Sequence, residues 1–442
     1  MKHFGTDGIR GSVGKDTMTA EFALRLANAS AQALAPDGGT VLIGKDTRIS
    51  GYMFESALEA GFVSAGMDVK LLGPIPTPAI AYLVKKYEAE LGIVISASHN
   101  SFKDNGIKFF NAKGMKLSND IEKIIEKLLE KPTHTKDSID LGRATIDSLA
   151  RERYQEFCIS TYENDEDLAD LKVIFDAANG AAYKVGPRIL NNLGAQVLSI
   201  GCSPNGKNIN ENCGSTHPEL LQQTVKAINA DVGIALDGDG DRVVMVDEQG
   251  NLLNGDELLY VLAVDYKKRK KLKDPVVGTV LSNMGLELAL KNHNINFVRS
   301  KVGDRNILEL LNDTGGNLGG EASGHMICMD YAETGDGLIA AIQVLEIMKR
   351  TKKTLSELML NYIKISQVND NIELNKYIDI ENSKKIKEAV HKIECQIPGN
   401  GRVILRSSGT EPLIRIMIEG EDQEQLNILM GQLKAEVNAI IN

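Results

Sequence analysis

The chain has 442 residues, of which 43% are hydrophobic and 25% are charged, and its formal net charge is −10. This length exceeds that of one ordinary domain, and the hydrophobic fraction predicts several well-filled cores. The negative charge argues against a nucleic-acid-binding protein, and it means that an anionic partner must be attracted by local arginines and lysines.

The amino terminus and the cysteines indicate where the protein resides. No apolar signal core opens the chain, and no apolar run approaches membrane-spanning length, so we expect no membrane association. The five cysteines are odd in number and form no C-x-x-C pair. This pattern predicts reduced thiols in the cytoplasm and argues against a disulfide framework or a zinc site.

Predicted strands and helices alternate in three successive blocks, a pattern typical of sheets layered with helices. The predicted elements are a helix at 19–35 with Thr19 as its N-cap, strands at 40–44, 68–72 and 92–96, a helix at 55–65, strands at 171–175, 196–200, 232–236, 276–281 and 295–302, and a helix at 337–349. We therefore expect an α/β protein with three successive mixed-sheet α/β domains, at 1–150, 151–255 and 256–365.

Residues 366–442 show a different order of elements. The predicted order is a strand, a helix at 383–393, strands at 403–406 and 413–419, and a long helix at 423–441. It indicates a smaller C-terminal α+β domain, and the polar stretch 364–371 is the predicted hinge. The polar loops come from all four blocks, so we expect the active site in the central cleft, where closure around a substrate would exclude water.

A polar loop follows the predicted buried strand at 91–95. It carries Ser98 and His99, and Lys108 lies just beyond it. A serine at the carboxyl end of an α/β strand lies where open sheets place their chemistry, although an isolated loop serine more often caps a turn. Adjacent residues in an extended segment point to opposite faces, and no G-x-S-x-G motif surrounds Ser98, so a hydrolase pair with His99 is not predicted.

The segment ALDGDGDRVVMVD places Asp237, Asp239 and Asp241 at alternate positions, followed by Arg242. Three carboxylates so close together repel one another unless a cation neutralises them, and their oxygens suit Mg²⁺. An acidic turn between two strands is the simpler alternative. An EF-hand loop is disfavoured, because Arg242 stands where that loop needs glycine and strands flank the segment.

Three further segments carry candidate binding groups. GGEASGH supplies Glu321, Ser323 and His325, which suit sugar hydroxyls but resemble an ordinary loop as well. A hydroxyl- and amide-rich turn lies in RSSGTEPLIR and is followed by an arginine, so a phosphate site and a plain turn both stay open. Its candidate residues are Arg406, Ser408, Gly409, Thr410 and Arg415. Arg10 lies in GTDGIRG, where a surface arginine is the default interpretation.

The segments SASHN, DGDGDR, GGEASGH and RSSGTEPLIRIM occur in this order, as they do in the α-D-phosphohexomutases. The chain resembles that family from Phe4 to its last strand. FGTDGIRG and NINENCGSTHPE are similar to the branch of the family that acts on hexosamine phosphates. One residue departs from the pattern: Ser101 stands where the family usually has proline after SHN, and proline would stiffen the loop.

The resemblance implies an intramolecular phosphotransferase that interconverts glucosamine 6-phosphate and glucosamine 1-phosphate through a 1,6-bisphosphate and feeds amino-sugar nucleotide and cell-wall precursor synthesis. It implies that Ser98 must be phosphorylated and that its phosphate, Asp237, Asp239 and Asp241 hold one Mg²⁺. Candidate partners for the remaining phosphate charge are Arg10, Lys108 and Arg242. His99 and Lys108 are both candidates for proton exchange with the sugar.

The remaining roles follow from the same resemblance. The GGEASGH residues bind the sugar, the RSSGTEPLIR residues bind the distal phosphate, and the segment VGDR at 302–305 supports them. Two other functions stay open: the same mechanism on glucose or mannose phosphate, and a non-catalytic sugar-phosphate sensor. The protein is expected to be a monomer or a homodimer.

Overall fold

The computed structural model describes residues 2–5, 7–374, 383–399, 401–407 and 413–441. These residues form four β-sheets of six, five, four and three strands, each packed against helices. The predicted fold class, three α/β units followed by a smaller α+β unit, is confirmed. Within the described ranges, no helix combines the length and the hydropathy needed to cross a membrane.

The first α/β unit contains a mixed sheet in the order β1-β5-β4-β2-β3-β6. Its elements are β1 (Ile9–Ser12), α1 (Ala20–Leu34), β2 (Gly39–Lys45), α2 (Ser50–Ser64), β3 (Met67–Pro74), α3 (Thr77–Lys86), β4 (Leu91–Ile95), β5 (Asp104–Asn111), α4 (Asn119–Leu129) and β6 (Ala144–Ile146). Thr19 caps α1 as predicted, because its side chain accepts the Phe22 N–H. Strands β2 and β4 run parallel, so the loops after them, including the Ser98 loop, lie at one edge.

The second α/β unit has a sheet in the order β11-β10-β9-β7-β8. Its elements are α5 (Ala150–Ser160), β7 (Lys172–Asp176), α6 (Val185–Asn192), β8 (Gln196–Ile200), α7 (Glu219–Ile228), β9 (Val232–Leu236), β10 (Val243–Asp247) and β11 (Leu252–Leu253). Strands β9 and β10 are buried throughout and pair antiparallel, with Leu236 opposite Val243. The aspartate segment is therefore the loop that joins two neighbouring core strands.

The third α/β unit has a sheet in the order β13-β12-β14-β15. Its elements are α8 (Gly255–Lys268), β12 (Val276–Thr279), α9 (Met284–Asn292), β13 (Phe297–Ser300), α10 (Asp304–Thr314), β14 (Leu318–Gly320), β15 (Met326–Cys328), α11 (Gly337–Thr351) and α12 (Leu355–Leu358). The GGEASGH segment joins the antiparallel strands β14 and β15. It is therefore a second hairpin loop, like the aspartate loop between β9 and β10.

The C-terminal unit is a three-stranded antiparallel sheet in the order β16-β18-β17 with two helices. Its elements are β16 (Ser366–Glu373), α13 (Lys384–Glu394), β17 (Arg402–Ser407), β18 (Leu413–Gly420) and α14 (Gln423–Ile441). The predicted hinge at 364–371 is wrong for most of its length, because β16 pairs with β18 along its full extent. Its polar composition is explained by its place at the edge of the sheet, where one side meets solvent.

The hydrophobic cores divide the chain into two bodies. One cluster of buried side chains contains residues from Leu42 to Leu355 and so joins all three α/β units. The C-terminal unit buries a separate cluster that runs from Ile372 to Val437. The three α/β units are therefore packed into one body, while the C-terminal unit is stabilised by its own core.

Candidate active site

The carboxylates of Asp237, Asp239 and Asp241 converge in the loop between β9 and β10. All three side chains are buried, and one oxygen from each lies within 4.8 Å of the others. Gly238 is required by close packing, because a Cβ there would lie 2.6 Å from the carbonyl oxygen of Ser98. The loop after β4 thus lies directly against the aspartate loop.

Ser98 lies at the point where these two loops touch. Its hydroxyl donates a hydrogen bond of 2.6 Å to Asp237 Oδ2, and its side chain is buried. Its backbone has a φ of 53°, a left-handed conformation that residues other than glycine seldom adopt. Such a conformation persists only where surrounding contacts maintain it, so the backbone of Ser98 is held in position against conformational strain.

The aspartate cluster has the properties of a cation site. Burial and the neighbouring carboxylates of Asp241 and Asp239 raise the pKa of Asp237 well above its ordinary value. Asp239 Oδ1 and Asp241 Oδ1 are buried, and neither has a hydrogen-bond partner among the described residues. Uncompensated buried oxygens of this kind are costly, and a hard divalent cation is the ligand that oxygen donors suit best. The residues present therefore fit Mg²⁺.

Lys108 and His99 differ in charge. On β5, Lys108 Nζ lies 2.7 Å from Asp239 Oδ2, 3.2 Å from Asp241 Oδ2 and 3.1 Å from Asp7 Oδ2. Although burial opposes it, these carboxylates raise the pKa of Lys108 well above its usual value. Burial and the nearby Arg242 and Arg10 lower the pKa of His99 to about 4. Lys108 is therefore protonated and His99 neutral at pH 7.

Arg10 and Arg242 approach the same cluster from two units. Arg242 Nε lies 3.9 Å from Asp241 Oδ1, and Arg10 is hydrogen-bonded to Asp7 beside Lys108. The Nε atom of each arginine is buried without a hydrogen-bond partner in the described part of the chain. Two guanidinium groups with unused buried donors provide contacts for an anion, and the role predicted for them as partners of phosphate charge stays a prediction.

The GGEASGH loop contacts the segment at 302–305. Glu321 accepts a hydrogen bond of 2.7 Å from the Gly303 N–H and another of 3.0 Å from the Ser323 hydroxyl. His325 is buried, with Nε2 3.4 Å from Asp304 Oδ2 and Nδ1 3.9 Å from Asp241 Oδ1. Both ring nitrogens of His325 thus face carboxylates, while Glu321 and Ser323 are more accessible.

The C-terminal unit contributes a pair of arginines. Arg406 on β17 stands directly opposite Arg415 on β18. Burial and the charge of Arg415 lower the pKa of Arg406, and the carboxylate of Glu321 partly offsets them. Two cations in register destabilise each other, and an anion bound between them would relieve the repulsion. The predicted residues Ser408, Gly409 and Thr410 lie outside the described residues.

Sequence reasoning missed an ionic network behind these groups. Lys116 forms ion pairs with Asp7 and with Asp304, which joins the first α/β unit to the third. Asp304 also faces His325, so the network continues to the aspartate cluster. The motifs containing Asp7 and Asp304 were visible in the sequence, but no local pattern around Lys116 indicates its two distant partners.

Comparisons with known proteins give matches along most of the chain. Family models described as phosphoglucomutase/phosphomannomutase match in succession: α/β/α domain I at 1–136, domain II at 152–250, domain III at 254–364 and the C-terminal domain at 367–436. A phosphoglucosamine mutase of Thioalkalivibrio sulfidiphilus is 52% identical, over 99% of this chain and 98% of the relative. Phosphoglucosamine mutase 1 of Shewanella amazonensis is 50% identical, over 99% of each chain.

Solved structures show the same fold at lower identity. A phosphoglucomutase/phosphomannomutase family protein from Burkholderia thailandensis has a TM-score of 0.81 at 24% identity, over 99% of this chain and 97% of that chain. An Aspergillus fumigatus N-acetylphosphoglucosamine mutase, solved with GlcNAc-6P and magnesium, has a TM-score of 0.72 at 16% identity, over 100% and 96% of the two chains. At these identities the likeness concerns the fold.

Proposed function

The chain belongs to the phosphoglucomutase/phosphomannomutase family, and we propose that it interconverts glucosamine 6-phosphate and glucosamine 1-phosphate. The relatives that are about half identical over nearly the full length are named phosphoglucosamine mutases, which supports this substrate. The observation that carries the proposal is the 2.6 Å hydrogen bond between the Ser98 hydroxyl and Asp237, within the buried aspartate cluster. A nucleophile and a cation site in contact are what phosphoryl transfer requires.

The cation site is assigned to Mg²⁺. Asp237, Asp239 and Asp241 would hold the ion together with a phosphate on Ser98. When bound, the ion supplies a Lewis acid that neutralises the charge of the phosphoryl group. The Aspergillus fumigatus relative, whose structure contains magnesium, supports the choice of metal.

Ser98 is proposed to carry the phosphoryl group. The bond between phosphorus and Ser98 Oγ breaks as a bond to the free sugar hydroxyl forms, and the product is a glucosamine 1,6-bisphosphate. Neutral His99, whose Nδ1 lies 3.4 Å from Ser98 Oγ, is placed to accept the hydroxyl proton. Lys108, which is held protonated, and Arg10 and Arg242, which offer unused donors, stabilise the phosphate charge.

The bisphosphate must then turn so that its other phosphate faces Ser98. We assign the distal phosphate to Arg406 and Arg415, together with the predicted Ser408, Gly409 and Thr410, because the two arginines stand in register and repel each other. Glu321 and Ser323 are assigned to the sugar hydroxyls, and buried His325 supports them. An anchor remote from the reacting atoms contributes binding energy that aligns them. The product is proposed to feed amino-sugar nucleotide and cell-wall precursor synthesis in the cytoplasm.

One experiment separates this function from its alternatives. Purified protein, phosphorylated on Ser98, is assayed with glucosamine 6-phosphate, glucose 6-phosphate and mannose 6-phosphate at equal concentrations. The proposal expects the highest kcat/KM on glucosamine 6-phosphate. Higher values on glucose or mannose phosphate would assign the protein to another sugar, and binding without turnover on all three would identify a sensor.

A further inference from the structure

The backbone N–H and the carbonyl of Ser98 both form hydrogen bonds with side chains that do not belong to the proposed reacting groups. The Ser98 N–H donates to Ser96 Oγ at 2.9 Å, and the Ser98 carbonyl accepts from Arg48 Nη2 at 2.9 Å. Ser96 Oγ donates to Asp46 Oδ2 at 2.7 Å, and that oxygen lies 3.1 Å from Arg48 Nε. The contacts form a closed ring around the Ser98 backbone.

The guanidinium of Arg48 is fully enclosed, with 1% of the residue exposed. Its remaining donors reach the next carbonyls of the loop, Asn100 at 2.8 Å and Ser101 at 3.3 Å. A buried charge is tolerated only where it is paired and hydrogen-bonded, and here the partners are Asp46 and three backbone carbonyls of the loop. The contacts of Arg48 therefore depend on one particular shape of the loop.

The loop needs these contacts to keep its shape, because its backbone is strained at Ser98. Ser98 has a φ of 53°, a conformation that costs about 1–2 kcal/mol for a residue with a side chain. Asn210 of the second unit adds further donors to the carbonyls of Ser98, at 2.9 Å, and Asn100, at 3.0 Å. Released from these contacts, the backbone would relax toward negative φ and turn the hydroxyl away from Asp237.

The residue at position 101 also affects how firmly the Ser98 loop is held. Proline, expected there from the resemblance, would restrict the loop through its fixed φ, whereas Ser101 leaves it free. The Ser101 carbonyl accepts a hydrogen bond from Arg48, a contact that proline at this position would keep because it retains its carbonyl. We propose that Arg48, anchored by Asp46, is a positioning residue that fixes the Ser98 loop and supplies the stiffness that serine at position 101 does not. The inference rests on the proposed role of Ser98.

The test is a double-mutant cycle of Arg48→Lys and Ser101→Pro. Arg48→Lys keeps the charge but loses the fork of donors, so kcat should fall between about tenfold and a hundredfold while KM changes less than about twofold. Ser101→Pro alone should change little, and added to Arg48→Lys it should restore at least about a third of the lost kcat. Amide hydrogen exchange at 97–100 should rise in Arg48→Lys and fall again in the double variant.

Arg25→Lys is the matched control, because Arg25 also donates to a backbone carbonyl, that of Leu129, in the same unit but away from the site. If Arg48→Lys does not fold, Asp46→Asn removes the anchor with the shape retained, and the same kcat loss is expected. An unchanged kcat in either variant, or a loss that proline leaves untouched, overturns the proposal. Failure of the proposed function is recognised separately, because Ser98→Ala would then keep turnover.

Discussion

The two regions proposed to handle phosphate are built in opposite ways. Ser98 and the aspartate cluster are buried in the body formed by the three α/β units, which share one hydrophobic core. Arg406 and Arg415 lie on the C-terminal unit, which has its own core, and Arg415 is exposed. The proposed reacting groups are therefore positioned by packing inside one body, whereas the proposed distal anchor belongs to a unit with a separate core, for which we expect motion relative to that body.

The interface between the two bodies includes polar contacts at one loop of the third α/β unit. The Met284 N–H donates to Glu419 Oε1 at 3.2 Å, and Arg402 Nη2 donates to the Ser282 carbonyl at 2.6 Å. Both contacts lie where the loop between β12 and α9 meets the C-terminal sheet. We expect a unit joined through so few polar contacts to close on a sugar phosphate while the proposed reacting groups stay fixed.

The largest effect is expected from Ser98→Ala, which removes the proposed nucleophile from the body formed by the three α/β units. Turnover should be abolished because no group remains to carry the phosphoryl, while the thermal midpoint stays near that of the wild type. Intact-protein mass should show a phosphate adduct in the wild type and none in the variant. Ser30→Ala, at another buried serine, is the control. Near-normal turnover of Ser98→Ala would contradict the phosphoserine mechanism.

Asp239→Asn tests the cation site in the same body. One anionic oxygen donor is lost, so the Mg²⁺ concentration for half activity should rise about tenfold or more and kcat should fall strongly. Activity is titrated against free Mg²⁺ after chelation. Asp247→Asn, a buried aspartate at the far end of β10, should leave the titration midpoint unchanged. Full activity of the wild type after exhaustive chelation would exclude a metal requirement.

Arg415→Ala tests the proposed anchor on the C-terminal unit, and its effect should be smaller. We expect kcat/KM to fall about tenfold to a hundredfold in both reaction directions, because remote binding energy is lost, while Ser98 still accepts phosphate. More bisphosphate should escape into the medium before it reorients, and its concentration during turnover is measured. The exposed Arg143→Ala is the control. Unchanged kinetics in both directions would place the anchor elsewhere.

Asp256→Asn changes a side chain that holds the loop between β12 and α9, which contacts the C-terminal unit. Of the four variants, it should change turnover least. The Asn283 N–H donates to Asp256 Oδ2, yet burial raises the pKa of this carboxyl to about 6. The folded protein therefore holds the proton more tightly than the unfolded chain, and stability falls as pH rises from about 4 to about 6, by roughly 3 kcal/mol at most. The variant should show a smaller fall in thermal midpoint over this pH range than the wild type, and the contribution of Asp336, whose pKa burial also raises to about 6, should remain. The same pH dependence in both proteins would refute the assignment.

The sequence alone predicted the family, the enzyme class and the fold class, and all three are confirmed. Local motifs sufficed because Ser98 and the aspartates lie in loops that follow buried strands, whose positions periodicity reveals. The ion pairs of Lys116 could not be predicted from the sequence, because they join distant residues, one of them in another unit, and depend on tertiary packing. The predicted hinge failed because an edge strand can be as polar as a linker. The boundaries at 150, 255 and 365 remain predictions.

The core shared by the α/β units has a consequence for biosynthesis. One face of the first sheet packs its own cluster from Phe4 to Leu129, and its other face is covered by α3 of the same unit. Helix α3 packs in turn on α5, and the shared cluster continues from there to Leu355. On the ribosome we therefore expect the interfaces between the α/β units to stay exposed until most of the chain has emerged. The C-terminal unit, by contrast, completes its own core as soon as its last helix is released.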